Sequence, residues 1–293
     1  MSRSMLACAR EGCPYLVHAA QEFGGYCCIA CSEGGDHGPR CQRVLAPAGA
    51  SRADESWRPP GRKYADTSIT LEDLRRYDED WVPATERAKS ACYPWIKAQG
   101  IFDGPYIDVR RDRVTSYTKQ FIGQPKEWGW SLDYSPDFFV DLVYEGFMPI
   151  GAEVEGDRGF KIQVLQLWWD RRRSVLDFQN THISRQVRKL AGRYTMTVDA
   201  AFDEVILGCV RQHGEAWLYR GCRWLLRTLF RNGYVGGKPV HFGMHSFELW
   251  DSEGHLVAGD LGYTVGSVYS SMTGFRQEHT RSAGEVQLVL TAG

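Results

Sequence analysis

The sequence predicts an α/β (α+β) protein in three parts: a small Cys/His module, a small α/β domain, and a second domain built on an antiparallel meander. Three observations carry this reading. Six of the nine cysteines fall before position 42. A stretch rich in Ala, Gly, Pro and Ser follows them, and after it strand-like and helix-like patterns alternate, closing on several strand runs in succession. With 43% apolar and 13% aromatic residues in 293, the chain has the composition of a folded protein with a sizeable core. It contains no apolar run of about eighteen residues and no secretory signal pattern at its start. A cytoplasmic protein with no membrane partner is expected.

Residues 1–45 are read as the Cys/His module. Cys8 and Cys13 form a C-x4-C pair, Cys28 and Cys31 a C-x2-C pair, and His37 with Cys41 an H-x3-C pair, each able to close on one tetrahedral ion. Gly24-Gly25 and Gly34-Gly35 supply the open backbone that a metal knuckle needs. Zinc in a structural role is the expected cofactor, because the pairs can fill every coordination position and leave none for water. Six candidates for four places leave the ligand set open. A module this small buries too little apolar surface to fold alone, so metal binding would supply most of its folding free energy, on the order of 10 kcal/mol. Residues 46–66, ending in Arg58-Pro59-Pro60-Gly61-Arg62, read as a linker.

The small α/β domain is expected over residues 67–190. Thr70 caps a helix running to about Trp81, with Glu72 and Asp73 at its positive end. Ser135-Pro136 opens another, carrying Phe138, Phe139, Leu142 and Val143 until Gly146 stops it. Ile162 to Trp169 alternates as a strand. In residues 191–293, Arg193 to Val198 reads as a strand, and Asp199 as the cap of a helix with Phe202, Val205, Ile206 and Cys209 on one face. A helix over 220–232 follows, then strands at 240–250, 256–264 and 266–272, and a helix over about 281–290. This order is that of an N-acetyltransferase-like (GNAT-like) core. The Gly-rich pyrophosphate loop of small-molecule acyltransferases does not precede the last helix.

The net charge of −1 argues for no polyanion partner, but its distribution does. Between Gly156 and Arg193 nine cations face three acids, a net of about +6. That segment is the candidate surface for a phosphate backbone, with a solvated basic face as the plainer alternative.

One run in this region is distinctive. His182-Ile183-Ser184-Arg185, then Thr195-Met196-Thr197-Val198 leading into residues 201–209, then Ala216-Trp217, resembles in order and spacing the leucyl/phenylalanyl-tRNA-protein transferases. The likeness spans roughly residues 145–290. It implies an aminoacyltransferase that moves Leu, Phe or Met from aminoacyl-tRNA to the N-terminus of proteins beginning with Arg or Lys, marking them for degradation, with no cofactor for the transfer.

The resemblance also implies site residues. His182, Arg185, Arg188 and Lys189 align with the family's basic motif, and Arg171, Arg172 and Arg173 extend the patch as a tRNA dock. Trp217 stands at the family's tryptophan, the platform for a terminal adenine, with a core tryptophan as the alternative. Ser271 and Met272 match the family's pocket segment, Ser270 replaces its glutamate, and Ser282 opens the helix that follows. Asp260 stands where the family has an apolar pocket residue; it and Glu248 are the acids expected to receive an acceptor's Arg or Lys. The family's reacting Asp-x-Gln motif would lie beyond Gly293, so the resemblance implies a GNAT-like core incomplete at the C-terminus and no catalytic residue is assigned. A catalytically inactive tRNA- or protein-binding homologue is the alternative function.

Overall fold

A computed structural model describes residues 6–17, 25–32, 34–37, 41, 43, 45–46, 49–53, 69–108, 114–121, 128–155, 161–170, 172–178, 182–215, 217–232, 241–277, 280 and 282–292. The chain divides into two units, Met1–Lys63 and Tyr64–Gly293.

In the first unit the apolar core is replaced by sulphur: Cys8, Cys13, Cys27, Cys28, Cys31 and Cys41 are all buried and cluster with Tyr15, Tyr26 and Ala30. One short helix, α1 (Ile29–Ser32), carries Cys31. The chain expected to begin the linker belongs in part to this unit. Ala7 N donates to Ser51 O, Ala53 N donates to Ala7 O, and the Arg52 guanidinium reaches the carbonyls of Cys8, Arg10 and Cys13.

The second unit opens with α2 (Leu71–Glu79), started as expected by a capping box in which Thr70 and Asp73 bond each other's backbone amides. Next come α3 (Glu86–Ala98), α4 (Val114–Phe121) and β1 (Trp128–Ser131), for which no expectation was drawn, then α5 (Pro136–Tyr144). Strands β2 (Met148–Glu155) and β3 (Lys161–Trp168) complete an antiparallel sheet in the order β1-β3-β2. Helix α6 (Arg185–Ala191) precedes β4 (Thr195–Val198), followed by α7 (Phe202–His213) and α8 (Arg220–Asn232). The meander follows: β5 (Phe242–Trp250), β6 (Leu256–Val265) and β7 (Val268–Arg276) pair antiparallel with β4 in the order β4-β5-β6-β7, and α9 (Ala283–Thr291) ends the chain. The expected starts of that strand at 240 and of that helix at 281, and the stop at Gly233, lie outside the described residues.

The division expected at 190/191 does not separate two cores. A single apolar cluster joins Leu74, Phe139 and Leu165 to Val205, Leu226, Met244 and Leu261. Helix α2 is tied to α8 by ions: Arg223, fully buried, donates from Nε and Nη2 to Asp78, and Arg227 reaches both Asp78 and Asp203.

Helices α7 and α8 cover one face of the meander. On the other, α6 and α9 pack at one end, where Val187, Leu249, Val257, Ala258, Ala283 and Val286 form their own apolar cluster. Strand alternation assigns residues to these faces, and that assignment builds the candidate site.

Candidate functional site

The face shared with α6 and α9 carries a polar row beyond their apolar cluster. Leu249 pairs with Ala258 and belongs to that cluster, so Phe247 and its cross-strand partner Asp260 lie two residues along on the same face. Tyr269 joins them, its ring 5.0 Å from that of Phe247. Its hydroxyl donates to Asp260 Oδ2 at 2.6 Å, and the Ser271 hydroxyl donates to Oδ1 at 2.7 Å. Asp260 is only 6% exposed. Burial pushes its carboxyl up to about 6, against the two hydrogen bonds that favour the ionised form. The Tyr269 hydroxyl is pushed well above the usual phenol range by burial and by the negative charge of Asp260 and Asp199.

Beside this pair sits a second one. His245 Nδ1 lies 2.9 Å from Asp199 Oδ2, and its Nε2 lies 3.2 Å from Thr264 Oγ1. Asp199 was expected to cap α7. Instead it adopts a left-handed backbone with φ of 60° and exchanges bonds with Ser246, taking that residue's amide on Oδ1. The cap of α7 comes from across the sheet: Glu248, fully buried, accepts from the Ala200 and Ala201 amides and from the Thr197 and Ser246 hydroxyls. Glu248 therefore faces α7 and spends its carboxylate internally, while Asp260 faces the opposite side. The two acids do not form one recess.

The cations stand apart from both acids' hydrogen bonds. Ser184 caps α6 by accepting from the Val187 amide at 3.2 Å. Val187 is buried, and Arg185, Arg188 and Lys189, at helical spacing, are exposed with His182 just before them. His182 is therefore not a core histidine. Arg172 is exposed; Arg173 donates to Gly146 O at 2.6 Å and reaches the Tyr263 hydroxyl, which Ser270 also contacts. Arg171 lies outside the described residues. Thus Arg173 and Ser270, from two sequence-distant segments, meet at Tyr263.

The remaining pocket candidates are spread around the core. Trp217 is half-buried against the main cluster, and its carbonyl stands so close to Gly151 that a Cβ there would collide with it, an approach only glycine permits. Met272 also packs on that cluster, next to the irregularity where Leu261 pairs with Thr273 but Gly262 with Ser271. Ser282 adopts a left-handed backbone with φ of 61° before α9 and makes no side-chain cap bond.

In the Cys/His unit, two groups of four donors bring their ligand atoms within 4.8 Å of one another: Cys8, Cys13, Cys27 and Cys31, and Cys27, Cys28, His37 and Cys41. All six expected ligands are there. Cys27 was missed, although its position beside Cys28 was the signal, because consecutive side chains can diverge toward different centres. Burial pushes the Cys31 thiol up to about 11 and the Cys27 thiol far above the thiol range. Donors of this kind, soft and nearly waterless, suit a structural zinc ion.

Residues 175–292 match the leucyl/phenylalanyl-tRNA protein transferase family model. A leucyl/phenylalanyl-tRNA–protein transferase of Maridesulfovibrio salexigens is 38% identical over 114 residues, covering 37% of this chain and 45% of the relative. Enzymes of the same name from Salmonella paratyphi A and Salmonella newport are each 31% identical over 120 residues, covering 40% of this chain and 47% of the relative. The chain thus spans under half the length of the curated relatives it matches. The resemblance read from the sequence holds over that segment, which contains α6, the whole meander, Asp260 and the His245–Asp199 pair. Among the described residues no helix is long and apolar enough to cross a membrane.

Proposed function

We propose that this protein is an aminoacyltransferase that takes Leu, Phe or Met from aminoacyl-tRNA and joins it to the N-terminus of proteins beginning with Arg or Lys, acting in the cytoplasm and marking those proteins for degradation. The observation that carries the proposal is the family match over residues 175–292, the segment that presents three exposed cations on α6 and a polar face on the meander. An aminoacyl ester is already activated, so the protein has mainly to hold an amine against its carbonyl. In this reading Arg185, Arg188, Lys189 and His182, with Arg172 and Arg173, grip the acceptor stem through its phosphates. Trp217 stacks the terminal adenine, Met272 and Ser270 line the aminoacyl pocket beside Tyr263, and Ser271, on the opposite face, holds Asp260 in place. Asp260 receives the acceptor's cationic side chain, and His245, oriented by Asp199, takes the proton that the attacking amine loses. Glu248 holds α7 in place. The domain around the meander is N-acetyltransferase-like, and the Cys/His unit folds on zinc.

The test is transfer itself: labelled Leu-tRNA is mixed with a peptide beginning with Arg, and peptide-bound label is counted. Label on that peptide and not on one beginning with Glu supports the proposal; none on either sinks it. A tRNA-binding protein without transfer activity is the second reading, favoured by Ser270, which brings a hydroxyl to Tyr263 where the family carries a carboxylate. It predicts retained tRNA affinity with no labelled peptide.

A further inference from the structure

The two donor groups of the Cys/His unit share one residue, and that overlap has chemical content. Two separate tetrahedral ions need eight donors; two ions joined through one shared thiolate need seven. Seven is what the two groups supply together: Cys8, Cys13, Cys27, Cys28, Cys31, His37 and Cys41.

The edges fit as well as the count. A zinc–thiolate bond of about 2.3 Å in a tetrahedron places neighbouring sulphurs about 3.8 Å apart, and a sulphur about 3.6 Å from a ligating imidazole nitrogen. In the first group Cys8 Sγ lies 3.6 Å from Cys31 Sγ and Cys13 Sγ lies 3.7 Å from Cys27 Sγ. In the second, Cys27 Sγ lies 4.0 Å from Cys28 Sγ, and His37 Nδ1 stands 3.3, 3.8 and 3.6 Å from the sulphurs of Cys27, Cys28 and Cys41. These are edges of two tetrahedra meeting at one vertex.

We infer that the Cys/His unit holds a pair of divalent metal ions bridged by the Cys27 thiolate. Cys8, Cys13 and Cys31 complete one ion, and Cys28, Cys41 and His37 through Nδ1 complete the other. Each thiol releases its proton on binding, so six thiolates against two dications leave the cluster two charges negative. The surroundings answer that charge: the Cys27 amide donates to Cys8 Sγ at 3.3 Å, and Arg10 Nη1 lies 3.9 Å from Cys31 Sγ while also bonding Gly35 O. Arg52, by holding the carbonyls of Cys8, Arg10 and Cys13, fixes the loop that presents two of the ligands. With every position filled on both ions, neither has room for water, and the cluster is structural.

The test uses the full chain, purified with its metal and independent of any transfer assay. Mass spectrometry under non-denaturing conditions counts the bound ions, and the chain loaded with an NMR-active cadmium isotope reports their connection. Two ions per chain, with two cadmium resonances split by coupling through a shared sulphur, are expected. Cys27→Ala should remove that coupling and lower the count to one, whereas Cys92→Ala, a half-buried thiol elsewhere, should leave both unchanged. One ion in the unaltered chain, or two resonances without coupling, overturns the inference. That measurement decides the matter even if Cys27→Ala fails to fold.

Discussion

The two units of this chain reach a folded state by opposite means. Among the described residues of the first, the buried centre is six cysteines with a histidine beside them, and only Tyr15, Tyr26 and Ala30 pack against it. In the second, one apolar cluster runs from Leu74 through Phe139 and Leu165 to Leu226 and Leu261, and beside it the buried Arg223 and Arg227 are paired with Asp78. The difference follows from size. A unit of some sixty residues buries only a modest fraction of its surface against chain entropy, and the Cys/His groups gathered at its centre are of the kind that could hold a metal to make up the difference. The larger unit has area to spare and can even accommodate Arg223 with no exposure at all. One unit should therefore depend on a ligand and the other on shape.

Removing metal is the largest break the comparison predicts. Stripping the protein with a strong chelator should cost the first unit on the order of 10 kcal/mol and unfold it. Amide exchange would then show protection lost over residues 6–53 and kept over residues 69–292. Loss of protection throughout would mean that the two units do not fold independently. The second break strikes the other unit. Asp78→Ala leaves Arg223 and Arg227 buried without their shared carboxylate, and stripping one partner from such a group costs about 3–5 kcal/mol. Urea unfolding should register that loss, while the metal content of the same variant stays that of the unaltered chain.

How much of each unit was legible in the sequence follows from the same difference. Candidate metal donors are legible by residue type and spacing, and the six expected ones all fall in the two groups whose side chains converge in the structure. Cys27 escaped because pairing arithmetic favours the tidier C-x2-C of Cys28 and Cys31. In the larger unit, the helices with strong end signals were readable: Thr70 starts α2 as expected, and the apolar face of α7 is where its periodicity put it. Helix α3 does carry a start signal, the Thr85 cap followed by Glu86, but Pro94 inside it breaks the helical pattern; α4 and β1 carry mixed patterns that tertiary packing resolves. The candidate site shows the sharper limit. Asp199 looks like a helix cap by position, yet the cap is Glu248, some fifty residues away on β5. Only strand register could separate Glu248 from Asp260 onto opposite faces, and register is set by pairings that a single strand's pattern does not contain.

Smaller effects sharpen the contrast within the second unit. The carboxyl of Asp260 is pushed up to about 6 by burial, above an unfolded value of about 3.9. The folded chain therefore binds more protons than the unfolded one between about pH 4 and pH 6, and its stability falls as pH rises through that window, by roughly 3 kcal/mol in total. Asp260→Asn should flatten that fall in urea titrations at a series of pH values. An unchanged slope would show that Asp260 ionises as easily in the folded chain as in the unfolded one.

The smallest predicted effect tests whether a local signal keeps its local size. Thr70 accepts from the Asp73 amide at 3.1 Å, and Asp73 accepts from the Thr70 amide, at the very start of α2. Thr70→Ala removes one half of that box and should cost about 1 kcal/mol, the usual loss for a capping side chain. Helix α2 also carries Asp78, about two turns beyond the cap, so fraying that spreads inward would loosen the ion pairs to Arg223 as well. A double-mutant cycle of Thr70→Ala with Asp78→Ala separates the two cases. Additive losses mean that the cap acts alone and packing holds the rest of the helix; a loss well short of additive means that the cap helps keep Asp78 in register for its buried partners.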